Sequence, residues 1–171
     1  VSTVNDHSKT PVGANVVWAD IDLYKYPGGE TQAMGLMRYL PTPSVVVRSG
    51  RGLHVYWKLK ETVSAAGPMS AAQILAKSAQ WFLGSDPAHS PSKLLRIPGT
   101  LNFKPNDYEG GKPCEIIRVN DVVYDPKDFP IDEVLMRVGH KLMTKMMLGP
   151  DEAGADRSEF DYATVAQLLQ N

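Results

Sequence analysis

Residues 16–26, VVWADIDLYKY, set two carboxylates one residue apart inside an apolar run that otherwise suits a buried strand. On a strand, alternate side chains point to opposite faces. Asp20 and Asp22 therefore share one face, while Ala19, Ile21 and Leu23 take the other. Two like charges a few ångströms apart repel each other. A fold keeps such a pair when a positive group lies between them, and hard carboxylate oxygens suit Mg²⁺ or Mn²⁺. The plainer reading of an isolated D-x-D is a strand end at which one aspartate caps a turn.

Around this strand, read as residues 14–23, the pattern alternates. Residues 1–13 are polar and irregular, with room for a short edge strand near Val1–Val4. YPGGE is a turn, and TQAMGLMRYL after it has helical spacing at Ala33, Met34, Met37 and Leu40. SVVVRSGRGLHVYWKLK reads as two strands joined by the tight SGRG turn. Residues 68–83, PMSAAQILAKSAQWFL, carry proline at their start and apolar residues at 72, 75, 79, 82 and 83, the strongest helix signal in the chain. KLLRIPGTLNFKP follows as a short strand, a turn and an extended piece, and PCEIIRV as another strand. From about residue 130 the pattern turns helical in PIDEVLMRVGHKLMTKMML, then runs through a GPDEAGAD linker to a second helix near Ser158. The expected architecture is α+β, a sheet with helices on one face and a site on the other.

The totals bound the function. The chain has 171 residues, of which 43% are hydrophobic and 22% charged, enough for one domain with a real core. A formal net charge of −1 argues against a protein that coats DNA but leaves room for a local basic site. The single cysteine, Cys114, excludes an internal disulfide and any multi-cysteine zinc or iron–sulfur site. No membrane-length apolar run or signal peptide occurs, which points to a cytoplasmic protein without a membrane partner. The start at Val1 and the apolar-periodic end, YATVAQLLQN, read as a piece of a longer protein.

Two further stretches carry chemistry. In RSGRGLHVYW, residues 48–52 form a turn with backbone N–H groups and two guanidiniums, Arg48 and Arg51, suited to phosphate oxygens; Ser49 belongs to the same turn. His54 follows on the strand, and its plain alternative is a core histidine bonded to a backbone carbonyl. In GSDPAHSPSKLLRIPGTLNFK, Asp86 follows the long helix, and Arg96, Asn102 and Lys104 flank the PGT turn. Each alone is ordinary. Together, three carboxylates and several cations are what two-metal phosphoryl transfer needs: carboxylates to hold the ions, cations to grip a triphosphate.

The order WADID, SGRGLHVYWKL, DPAHSPSKLLRIPGTLNFK resembles the archaeo-eukaryotic primase superfamily, in particular the primase-polymerase domains fused to helicases in phages and plasmids. Its motifs are an acidic D-x-D or D-x-E strand, a small-x-His strand and a later Asp, and the R-x-P-G-T-x-N-x-K tail is typical of the phage and plasmid branch. The resemblance covers roughly residues 14–125. It implies an RRM-like antiparallel or mixed sheet core with flanking helices and a C-terminal helical extension. It also implies that Asp20, Asp22 and Asp86 hold Mg²⁺ or Mn²⁺, with His54 on the incoming nucleotide's phosphates. Ser49, Arg51, Arg96, Asn102 and Lys104 would complete the nucleotide-binding set. The implied partners are a single-stranded DNA template, NTP or dNTP, and a fused or associated helicase. GADRSEFDYATVAQLL resembles the segment that follows this domain in phage replication proteins, with Arg157 and Glu159 in structural pairs. The expected division is a catalytic core over 1–129 and a helical tail over 130–171.

A template-directed nucleotidyltransferase, acting as primase or polymerase, is the expectation. A metal-dependent nuclease would use the same carboxylates, although cations near the third motif fit a triphosphate better than a diester. A catalytically silent nucleic-acid-binding sheet would display stacking residues such as Tyr56 and Trp57, but has no use for three aspartates. A rolling-circle initiator wants two closely spaced histidines, whereas His7, His54, His89 and His140 are scattered.

Overall fold

The computed structural model describes residues 3–5, 11–66, 70–85, 90–103 and 110–131. The aspartate-bearing strand, β2 (Pro11–Asp22), begins earlier than expected and is 12 residues long. Its first residues pair with a short edge strand, β1 (Thr3–Asn5). After β2, a 3₁₀ turn (Leu23–Lys25) leads to helix α1 (Gly29–Leu36), which ends in a further 3₁₀ turn (Met37–Tyr39). The expected hairpin follows as β3 (Val45–Arg48) and β4 (Gly52–Ser64), then helix α2 (Ala71–Leu83). The chain then makes a two-stranded ribbon, β5 (Leu101–Asn102) with β6 (Lys112–Pro113), before the last strand, β7 (Glu115–Val119). Residues 93–96, expected as a strand, form none, and the expected tail from residue 132 onward lies outside the described residues.

The main sheet has the order β1-β2-β4-β3-β7, and each neighbouring pair is antiparallel. With β4 between them, β2 and β3 run parallel and are joined through α1, the split β-α-β arrangement of RRM-like folds. The sheet fills its helix-facing side by strict alternation. Val17, Ala19 and Ile21 of β2 and Leu53, Val55 and Trp57 of β4 are buried against Ala33 of α1 and Leu75, Ala79 and Leu83 of α2. Each large apolar side chain so buried contributes about 1.5–3 kcal/mol. The polar tips that enter this layer are satisfied: Trp57 Nε1 donates to the Pro41 carbonyl at 2.7 Å, and the Tyr26 hydroxyl donates to Leu83 O at 2.6 Å. Gly84, at φ +62°, ends α2 in the left-handed conformation that L side chains avoid.

The opposite face is less open than the alternation suggests. Ala14, Val16 and Trp18 share it with Asp20, yet they are buried with Ala65, Ala72 and Ala76. Helix α2 thus contributes to both apolar clusters, and only the Asp20–Asp22 end of β2 is left for polar groups.

Arg48 closes the end of β3. Its Nε and Nη2 donate to the two Glu30 carboxylate oxygens at 3.1 and 2.8 Å, and Nη1 donates to Glu115 at 2.7 Å. One guanidinium therefore joins α1, β3 and β7, and it is not the phosphate-binding cation expected of the turn. The guanidinium holds the Glu30 carboxyl below its ordinary value of 4.5. Because the folded pKa lies below the unfolded one, the contribution is complete above the unfolded value and lost as pH falls through the folded one. Both side chains are more than a third exposed, at 38% and 36%, and solvent screens the pair. We expect Arg48→Met to cost no more than about 1 kcal/mol at neutral pH. The urea midpoints of variant and wild type should converge as the solution is acidified below pH 4.5.

Candidate active site

The two longest strands build the site through their register. Asp20 pairs directly with His54, Asp22 with Gly52, and Trp18 with Tyr56, so these side chains lie on one face in cross-strand rows. His54 Nε2 is 3.7 Å from Asp20 Oδ1. His54 is 1% exposed, whereas Asp20, at 23%, reaches solvent. Asp22 holds the N-cap position of the Leu23–Lys25 turn, yet its side chain accepts no capping hydrogen bond. The turn-capping explanation of the D-x-D pair thus fails for Asp22.

Burial is the largest influence on the His54 imidazole and pushes its pKa below the usual 6.5; Asp20 pulls it up, while Arg96 and Lys93 push it down. The ring is therefore neutral at neutral pH. Its Nδ1 is buried with no hydrogen-bond partner. The Tyr56 ring stands edge-on to His54, with centroids 6.4 Å apart. Burial first and Asp20 second raise the Tyr56 phenol to about 12, which keeps it protonated. Packed in this way, Tyr56 shapes the site wall.

Cations reach this face from the irregular segment after α2. Lys93 Nζ lies 3.7 Å from Asp20 Oδ2, and the Arg96 charge acts on His54. The buried Cys114 holds the segment in place. Its thiol donates to Arg96 O at 3.8 Å, its N–H donates to Thr100 O, and its carbonyl accepts from Gly99 N–H. Lys93 is a site residue that sequence reasoning missed. A lysine in an aperiodic stretch carries no signal that it will fold onto an aspartate some 70 residues earlier.

The β3–β4 turn lies at the Asp22 end of the same strands. Ser49 N–H donates to Gly52 O, and Leu23 N–H donates to Arg51 O, which ties the turn to the residue after Asp22. Asn102 sits behind it, buried, its Nδ2 donating to Ser49 O at 2.8 Å while Oδ1 has no hydrogen-bond partner. Ser49 is also buried. Arg51 lines an open depression with Leu23, Tyr24, Gly50 and Lys112. Of the residues singled out from sequence, the fold therefore brings Asp20, Asp22, His54 and Arg96 to one face, with Ser49 and Arg51 in the adjoining turn and Asn102 behind it. Asp86 and Lys104 lie outside the described residues. Among the described residues no group of three or more metal-ligating side chains occurs, and no helix is long and apolar enough to cross a membrane.

The fold is shared with a phage primase-polymerase AEP domain and with the primase RepB'. The chain superposes on the primase-polymerase AEP domain of cyanophage S-2L with a TM-score of 0.52 at 20% identity, over 76% of this chain and 64% of that one. It superposes on the primase RepB' with a TM-score of 0.50 at 12% identity, over 79% of this chain and 44% of that one. In sequence it is 30% identical, over 100 residues, to a replication protein of Clostridium perfringens. That match takes in 53% of this chain, which spans 24% of the curated relative's length. No family model matches the chain.

Proposed function

We propose that this chain is the nucleotidyl-transfer domain of a phage or plasmid replication protein, acting as a primase, a DNA polymerase or both. The observation that carries the reading is the cross-strand row itself: Asp20 opposite a buried, neutral His54, with Asp22 on the same face and Arg96 alongside. Mg²⁺ is commonly held by one or two carboxylates, with water and substrate phosphates filling its other positions. Asp20 and Asp22, one of them relieved of capping, fit that donor set, with Asp86 as the proposed third carboxylate. A bound divalent ion would activate the attacking 3′-hydroxyl and neutralise the departing phosphates. In the reaction, the 3′-oxygen bonds to the α-phosphorus of an NTP or dNTP, the α–β bridge breaks, and pyrophosphate leaves with the electron pair. His54 and Arg96 orient the triphosphate; Arg51, Ser49, Asn102 and Lys104 complete the nucleotide-binding set. Single-stranded DNA is the template, and a helicase is the proposed neighbour in the full-length protein.

The deciding assay is extension of a labelled primer, together with dinucleotide synthesis without a primer, by wild type and Asp20→Ala with Mg²⁺ or Mn²⁺. Incorporation by wild type, lost in the variant, is expected; degradation of the primer without extension would make the protein a nuclease. His54→Ala and Arg96→Ala should each raise the nucleotide KM by about 10- to 100-fold, the weight of a charge-assisted contact of roughly 1.5–3 kcal/mol, with little change in DNA affinity. Equal losses in nucleotide and DNA binding would place them on the template instead.

A further inference from the structure

Asp20 lies between two nitrogen-bearing groups, and they are not equivalent. His54 is fixed in the sheet and buried, its Nε2 3.7 Å from one Asp20 oxygen. Lys93 is 40% exposed, on an irregular segment, and its ammonium stands 3.7 Å from the other carboxylate oxygen. Among the described residues it is the one lysine or arginine in an ion pair with Asp20. A divalent ion held by Asp20 would come within a few ångströms of that ammonium, and like charges at that distance repel. The lysine stem is long and flexible enough to carry the charge elsewhere. A triphosphate arriving with the ion supplies the anionic oxygens that would receive it.

We infer that Lys93 is a charge placeholder. It neutralises Asp20 while no metal is bound, opposes binding of a divalent ion alone, and passes to the nucleotide's phosphates when ion and nucleotide arrive together. Metal and nucleotide binding are thereby coupled, each favouring the other. The inference rests on the reading of Asp20 and Asp22 as metal ligands, and it adds a positioning residue that the motif does not include.

The test measures binding on the whole chain, without turnover. Mn²⁺ affinity is read by electron paramagnetic resonance of the free ion, first without nucleotide and then with a non-hydrolysable nucleoside triphosphate analogue, for wild type, Lys93→Gln, Lys93→Arg and Asp20→Asn. Lys93→Gln should bind Mn²⁺ alone about two- to fivefold more tightly than wild type, the range expected when an exposed ion pair is removed. It should bind the analogue with Mn²⁺ more weakly, and Lys93→Arg should follow wild type in both. If wild type binds Mn²⁺ and Asp20→Asn does not, but Lys93→Gln leaves the metal affinity unchanged or lower, the placeholder role is wrong and the metal site stands. If Mn²⁺ binding is indifferent to Asp20→Asn, the metal assignment fails, and the role of Lys93 fails with it.

Discussion

Replacing Asp22 with asparagine is expected to lower nucleotide incorporation by at least about 10²- to 10³-fold, the scale on which losing one electrostatic stabiliser of a transition state is felt. The fold should survive, because Asp22 caps nothing with its side chain and lies at the end of β2, where it is partly exposed. Removing one of two neighbouring carboxylates also relieves their repulsion, so thermal stability should hold or rise. Primer extension and a thermal melt of the same preparation check both halves. Near-normal incorporation by a folded Asp22→Asn protein would refute the proposed metal role, and a large fall in melting temperature would make Asp22 structural.

Gly52→Ala should be the most damaging small substitution in the hairpin. A β-carbon built on Gly52 would lie 2.1 Å from the Ile21 carbonyl oxygen and 3.1 Å from its carbon. Those are backbone atoms of the neighbouring strand β2, which cannot turn aside as a side-chain tip can. Relief requires β2 and β4 to separate where Asp22 faces Gly52, so both the register and the site are disturbed. A loss of about 3 kcal/mol or more is expected, in the upper range of overpacking costs. Gly35, on an exposed turn of α1 with nothing near its missing β-carbon, is the internal control. Gly35→Ala should be neutral or stabilising by up to about 1 kcal/mol, since alanine suits a helix interior better. Urea denaturation of the two variants decides the matter; equal tolerance would mean that the close approach at Gly52 is unimportant.

How much of this was legible in the sequence follows from the range of the interactions. The period-two alternation of β2 assigned Asp20 and Asp22 to one face and Ala19 and Ile21 to the other, because successive side chains on a strand point to opposite faces. The SGRG hairpin was equally local, since glycines mark it. The pairing of β2 with β4, which brings His54 to Asp20, joins residues more than 30 positions apart, and no local signal carries that register. The resemblance to a known family assigned the two residues to one site but gave no register. Cations were the least legible. Arg48 and Arg51 look alike in RSGRG, yet Arg48 is bound to Glu30 and Glu115, whose proximity only the tertiary fold creates. Lys93 was overlooked for the converse reason. The early start of β2 was missed because Pro11 and Gly13 read as irregular, although proline is tolerated at the first residue of a strand.

The site's two halves are attached to the molecule in different ways, and this governs what can adapt during a catalytic cycle. Asp20, Asp22 and His54 ride on the two central strands, so they shift only if the ladder between them shifts, an event close to global opening. Lys93 and Arg96 belong to an irregular segment held by Cys114 and by Asn102 on Ser49 rather than by a strand ladder, which rearranges at lower cost than the ladder does. If the chain transfers nucleotides as proposed, accommodation of successive base pairs, and any discrimination among nucleotides that depends on closing around them, would fall to the cationic side. On that proposal the carboxylates would act as a fixed anvil, and substrate choice would be tuned through residues 90–103 with the acidic pair left untouched.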